Sequence, residues 1–296
     1  MQIFRSKLCS FLVLLVVSAV VITGCAGGGN GGKDAKEDTI KIGVFNWAEN
    51  IAVVHLWEIV LEEEGYDVEL VEGQKQPLFA AIASGDLDLG CEVWLPKTDE
   101  PFWEQYKDNG WERLDPWYEG AKLGLVVPEY SDIESIDEMN ANKDKFIKGG
   151  EPSIVGIGGG ASLMRMTEEA IDTYGLDFKL METSGPAMTA TLQQSIEDNE
   201  PVVVTLWSPH WAFADFDIRY LKDPENVYGE AETIYPMAHE GFNEKYPTVT
   251  RWLNNWDMDD QSLGGLMSVI KDVGDPTEGA KKWLEDNRDL VNEWLE

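Results

Sequence analysis

Three tryptophans follow three apolar runs. Val202-Val203-Val204-Thr205-Leu206 leads into Trp207-Ser208-Pro209-His210-Trp211. Ile40-Lys41-Ile42-Gly43-Val44-Phe45 leads into Asn46-Trp47-Ala48-Glu49, and Asp86-Leu87-Asp88-Leu89-Gly90-Cys91-Glu92-Val93 into Trp94-Leu95-Pro96. The run of β-branched residues before Trp207 reads as a buried strand, which Pro209 ends. Side chains at a strand's mouth are delivered by a rigid sheet into a cleft. A single tryptophan there is ordinarily packing, and the chain has 12 to distribute. Three at equivalent places fit another reading. Aromatic faces carry negative charge, and a quaternary ammonium cannot donate a hydrogen bond, so a box of indoles is its natural receptor. Glu49, two residues past Trp47, is the acid nearest the box and could attract the same cation, although N-capping or a surface position would also account for it.

A second feature supplies the opposite charge preference. Gly158-Gly159-Gly160-Ala161-Ser162 follows a strand pattern (Ile154–Ile157) and opens a helix pattern (Leu163–Tyr174). Backbone N–H groups and the positive end of a helix make such a turn an anion site, while a plain tight turn is the alternative. The loop has neither a phosphate-loop ending nor dinucleotide-fingerprint spacing. Beside an indole box it suits a carboxylate, with His210 as a further donor. The ligand so described has a quaternary ammonium at one end and a carboxylate at the other. His55 and His239 stand in no such pattern.

The elements that must hold these groups form two repeats of one pattern. Strand Ile40–Phe45, helix Ala52–Glu64, strand Tyr66–Val71, helix Pro77–Ser84 and strand Asp86–Val93 make a βαβαβ opening. An aromatic-rich loop (Trp111–Tyr118) follows, and Ala121–Pro128 reads as a crossover strand. The pattern then recurs through Ile154–Ile157, Leu163–Tyr174, Leu180–Glu182, Pro186–Glu197 and Pro201–Leu206. The class is α/β, two lobes with a cleft between them: lobe one at 40–119 and 226–296, lobe two at 120–225. Helices near Phe242–Trp252, Asp260–Lys271 and Thr277–Leu295 are expected to pack back on the first lobe.

Composition limits the setting. Arg5 and Lys7, the apolar run Leu8–Ile22 and the closing Ile22-Thr23-Gly24-Cys25 read as a signal peptide over residues 1–24. Small residues before Cys25 mark it for lipidation, which would tether the mature chain to the outer face of the cytoplasmic membrane. Residues 25–39, rich in glycine and then in charge, read as a flexible tether. Cys91 then has no partner, so it is expected to be a small buried hydrophobe. With 23 basic and 55 acidic residues, net charge −32, nucleic acid would be repelled. The acidity could steer cations or be a solvated surface. No cofactor or metal pattern is present. With three histidines, no His-Glu-x-x-His and no Gly-x-Ser-x-Gly, a secreted hydrolase of choline esters is the remote alternative.

Several of these segments together carry a family resemblance. Asn46–Glu49, Ala83-Ser84-Gly85-Asp86-Leu87-Asp88, Val93–Pro96, Tyr118-Glu119-Gly120-Ala121-Lys122-Leu123-Gly124-Leu125-Val126-Val127-Pro128, Trp207–Trp211 and Tyr220-Leu221-Lys222-Asp223-Pro224 resemble the OpuAC-type glycine betaine-binding proteins of ABC importers. The resemblance runs in one order through nearly all of 40–296. It implies a type II periplasmic-binding-protein-like fold and a monomer that hands glycine betaine to an ABC permease and its ATPase. It implies an ammonium box of Trp47, Trp94 and Trp207, and a carboxylate site at Gly160, Ala161 and His210. Asp99 stands where some relatives carry a histidine, which removes one carboxylate contact. Leu123 and Ala161 stand where the choline-binding branch has tyrosine and asparagine, which argues against choline as the main ligand. Choline, carnitine, proline betaine and ectoine remain the alternatives within the same receptor type.

Overall fold

The computed structural model describes residues 38–296. The signal segment and Cys25 lie outside the described residues. Eleven strands join in one curled sheet: β1 (Ile40–Val44), β2 (Val68–Glu72), β3 (Leu89–Leu95), β4 (Trp111–Arg113), β5 (Tyr118–Pro128), β6 (Ile147–Lys148), β7 (Glu151–Val155), β8 (Lys179–Met181), β9 (Val204–Ser208), β10 (Ile218–Tyr220) and β11 (Glu232–His239). The order along it is β2-β1-β3-β11-β5-β9-β7-β6, with β4 on β11, β10 on β5 and β8 on β7. β1 is parallel to β2 and β3, and β7 is parallel to β8 and β9. Those are the two βαβ-built groups that the repeated pattern predicts.

β5 belongs to both groups. Its start pairs with β11, Tyr118 opposite Ile234, and its later part pairs with β9, Leu123 opposite Trp207. Between these regions lies Gly120, whose φ of +88° is one that a side chain would oppose, and β11 has an irregular register opposite it. The crossover strand therefore starts three residues before the predicted Ala121. β11 itself, where the sequence reading placed no element, is an eight-residue antiparallel strand. Trp111–Arg113, read as loop, is a short strand on its edge.

The helices differ from the sequence reading mainly at their ends. The first begins at Ala48 rather than Ala52, with Trp47 as its N-cap in extended conformation. The predicted Phe242–Trp252 helix divides into Phe242–Lys245 and Pro247–Asn255, since Pro247 has no N–H with which to continue it. Thr277–Leu295 likewise divides at Asn287 into Pro276–Asp286 and Arg288–Trp294.

These C-terminal helices cover the first helix through an indole cluster. Trp256 stacks on Trp117 with centroids 4.3 Å apart and meets Trp57 edge-on at 5.5 Å. Six of the twelve tryptophans, including Trp252, Trp283 and Trp294, are thus buried here as core. Helices Asp260–Val273 and Pro276–Asp286 approach closely at Gly279, where an added Cβ would fall 2.6 Å from Ile270 Cα. Alanine improves helix propensity by about 1 kcal/mol, but overpacking against backbone costs about 1–3 kcal/mol. Gly279→Ala should therefore lower the urea midpoint, and an unchanged or raised midpoint would show that the helices can separate freely.

Candidate functional site

The strand ends bring Trp47, Trp94 and Trp207 to the wall of one cavity, about 330 Å³ including its mouth. Trp94 is the penultimate residue of β3, Trp207 that of β9, and Trp47 opens the helix after β1. Asn50 Oδ1 fixes the turn before that helix by accepting the Phe45 N–H at 2.8 Å. Both prolines expected to end strands follow these tryptophans, and the Leu95–Pro96 and Ser208–Pro209 peptides are cis. Leu123, opposite Trp207, lines the cavity with Ile157 and Leu163.

Glu49 also lines the cavity. It is neither a cap nor a surface charge: it is 2% exposed, and its Oε2 accepts the Trp207 Nε1–H at 2.7 Å. That bond joins the β1 group of strands to the β9 group and fixes the indole plane. Burial raises the Glu49 carboxyl to about 7, against the opposing pull of its own backbone N–H, the Trp207 donor and the Lys75 charge.

Asp99 lies just behind the wall, fully buried, at the turn after β3. It accepts from Lys75 Nζ at 2.6 Å, from the Trp94 N–H at 3.0 Å and from Ser162 Oγ at 3.1 Å. Lys75 is itself buried, and its ammonium lies 4.9 Å from the Trp47 ring centroid and 5.5 Å from that of Phe79. A cation of this chain therefore sits against one indole, held there by Asp99.

The glycine turn delivers a helix start to the same cavity. Ala161, Ser162 and Leu163 line it, and Gly160 does not. The Ala161 N–H is taken by Gly158 O at 3.0 Å, and that of Gly159 by Glu182 at 2.9 Å. Ala161 is the N-cap of the 13-residue helix Ser162–Tyr174, so the Ser162 and Leu163 N–H groups have no acceptor within it. Both residues line the cavity beside the three indoles. His210 is placed elsewhere. Its ring meets Trp207 edge-on at 4.8 Å but lines a separate groove with Lys122, Trp211 and Tyr220. Its Nδ1 accepts the Ala212 N–H at 3.1 Å, which puts the ring proton on Nε2. Burial lowers its imidazole to about 3.

The sequence reading assigned no role to Lys75, Glu92 or Leu163, all of which line the cavity. Glu92 left a signal: it is a charged residue in an otherwise apolar strand, two before Trp94 and hence on the same face.

Residues 38–286 match the family described as the substrate binding domain of ABC-type glycine betaine transport systems, and the chain belongs to that family. It is 41% identical over 147 residues to the glycine betaine/carnitine transport binding protein GbuC of Listeria monocytogenes. That alignment spans 49% of this chain and 49% of GbuC, about half the relative's length. The crystal structure of the glycine betaine, L-proline ABC transporter binding protein ProX from Borrelia burgdorferi is 31% identical, with a TM-score of 0.81, over 88% of this chain and 97% of that one. Lactococcal OpuAC, closed on glycine betaine, is 29% identical with a TM-score of 0.79, over 87% and 99%. The fold is thus the type II periplasmic-binding-protein-like one. The family consists of extracytoplasmic substrate-binding proteins of ABC importers rather than enzymes.

Proposed function

We propose that this chain is the glycine betaine receptor of an ABC importer, lipid-anchored through Cys25 and tethered by residues 25–39. The observation that carries the reading is one cavity with two unlike ends. Trp47, Trp94 and Trp207 offer π faces to a trimethylammonium group, and the Ser162 and Leu163 amides offer donors to a carboxylate. With these amides at hand, the carboxylate end moves two residues along from Gly160 and Ala161, and His210 acts through Trp207 rather than on the ligand. Trp47 and Trp94 belong to the first strand group, while Trp207 and Ser162 belong to the second. A ligand held by both would close a cleft between lobes bounded near residues 119 and 226, and the closed form would dock on the permease. Binding desolvates both ends of the zwitterion, and no bond is made or broken.

Intrinsic tryptophan fluorescence of the chain from about residue 26, titrated in parallel with glycine betaine and choline, tests this. A saturable change with betaine and a much weaker one with choline is expected. Tight choline binding with little betaine response would remove the carboxylate assignment at Ser162 and Leu163, and silence with both would remove the box.

A further inference from the structure

The cavity holds more acid than its own cation can balance. Glu49, Glu92 and Lys75 line it, and Asp99 stands behind. Lys75 is committed to Asp99. Glu92 is fully buried, and neither of its carboxyl oxygens has a hydrogen-bond partner among the described residues. Asn50 Nδ2 approaches it without good hydrogen-bond geometry and offsets the burial of the carboxyl only in small part. Glu49 has one donor, Trp207. A carboxylate left this way in a water-excluded site is costly, and the group takes up a proton instead. Two carboxyls in one site oppose each other's ionisation.

We propose that Glu92 is a ligand-facing group of the cation subsite, and that it shares with Glu49 one proton in the empty site which an incoming quaternary ammonium expels. This deepens the glycine betaine reading and rests on it. The ammonium brings a permanent charge and no proton, so it stabilises both carboxylates at once. The proton lost by the pair goes to solvent, and the site's net charge falls by one as the ligand's positive charge arrives. The indoles thus have a carboxylate floor whose charge appears only when the cation does.

The surrounding groups agree. Burial, and then the Glu49 charge, push Glu92 well above the carboxylate range, with Asp99 adding and Lys75 and Asn50 opposing. Glu49 stands at about 7. His210, behind Trp207, is neutral across this range because burial holds it at about 3. The sign follows. Binding releases a proton where the pair is protonated when empty and ionised when filled, so affinity rises with pH there. The slope approaches about tenfold per pH unit for one proton. The rise runs through neutral pH and levels off once the empty pair is ionised.

Calorimetry of glycine betaine binding in phosphate and in Tris, between about pH 6 and 8, reads this directly. The expected result is a binding enthalpy that differs with buffer ionisation enthalpy, proton release, and an affinity that climbs with pH. Glu49→Gln/Glu92→Gln should flatten that climb to less than about threefold per unit, since Glu92→Gln alone leaves Glu49, which burial raises by itself, to carry a proton. Saturable binding with the same enthalpy in both buffers and a flat pH profile would overturn the proposal while leaving the ligand in place. The absence of binding at any pH would instead overturn the betaine reading beneath it. The buffer comparison on the native chain decides the matter even if the variant fails to fold.

Discussion

Trp207→Ala should raise the Kd for glycine betaine by about 100-fold or more, measured by calorimetry. A desolvated cation–π contact is worth about 2 kcal/mol. The variant also strips Glu49 of its Trp207 donor, a loss of about 1–3 kcal/mol that falls chiefly on the ionised carboxylate facing the bound cation. The two together come to about 3 kcal/mol or more, or roughly two decades in Kd. Trp207→Phe separates the terms, since it keeps an aromatic face and removes only the Nε1–H. Its expected loss is about tenfold. If the phenylalanine variant lost as much as the alanine variant, the indole would be acting through Glu49 alone. If neither lost affinity, Trp207 would not be part of the box.

That Glu49–Trp207 bond also marks how far the sequence could be read. The three strand-end tryptophans were visible because each closely follows an apolar run, with a proline soon after two of them. Local spacing places such groups reliably at a sheet's mouth. The two βαβ groups were visible for the same reason, each being built from neighbouring segments. What spacing did not carry was partnership over distance. Glu49 and Trp207 are 158 residues apart, and Lys75 and Asp99 are 24 apart across a helix and a strand. Charge pattern alone would leave Glu49, Lys75 and Asp99 on the surface.

β11 was missed because its partners, β3 and β5, lie more than a hundred residues earlier and its own Tyr-Pro-Met interrupts a strand pattern. The anion end is proposed two residues further along for a finer reason. The glycine turn was legible, but the Gly158 carbonyl takes the Ala161 N–H, a local bond that residue spacing does not reveal.

Asp99→Ala should destabilise the fold by about 3 kcal/mol in urea unfolding. Removing one partner of a buried ion pair strands the other charge, a loss of about 3–5 kcal/mol. Here Glu49 and Glu92 share the Lys75 field and can absorb part of it, which places the value at the low end. The stranded ammonium already lies 4.9 Å from the Trp47 centroid. Without Asp99 to hold it back, it becomes an internal rival for the indole face, and betaine affinity should fall as well. The double variant Lys75→Met/Asp99→Ala removes both charges and should recover most of the stability. It should also bind betaine more tightly than Asp99→Ala alone, because the rival is gone. Additive losses in the double variant would mean that Asp99 acts chiefly through the Trp94 N–H and Ser162 Oγ, the two groups it ties across the cavity, and not by restraining Lys75.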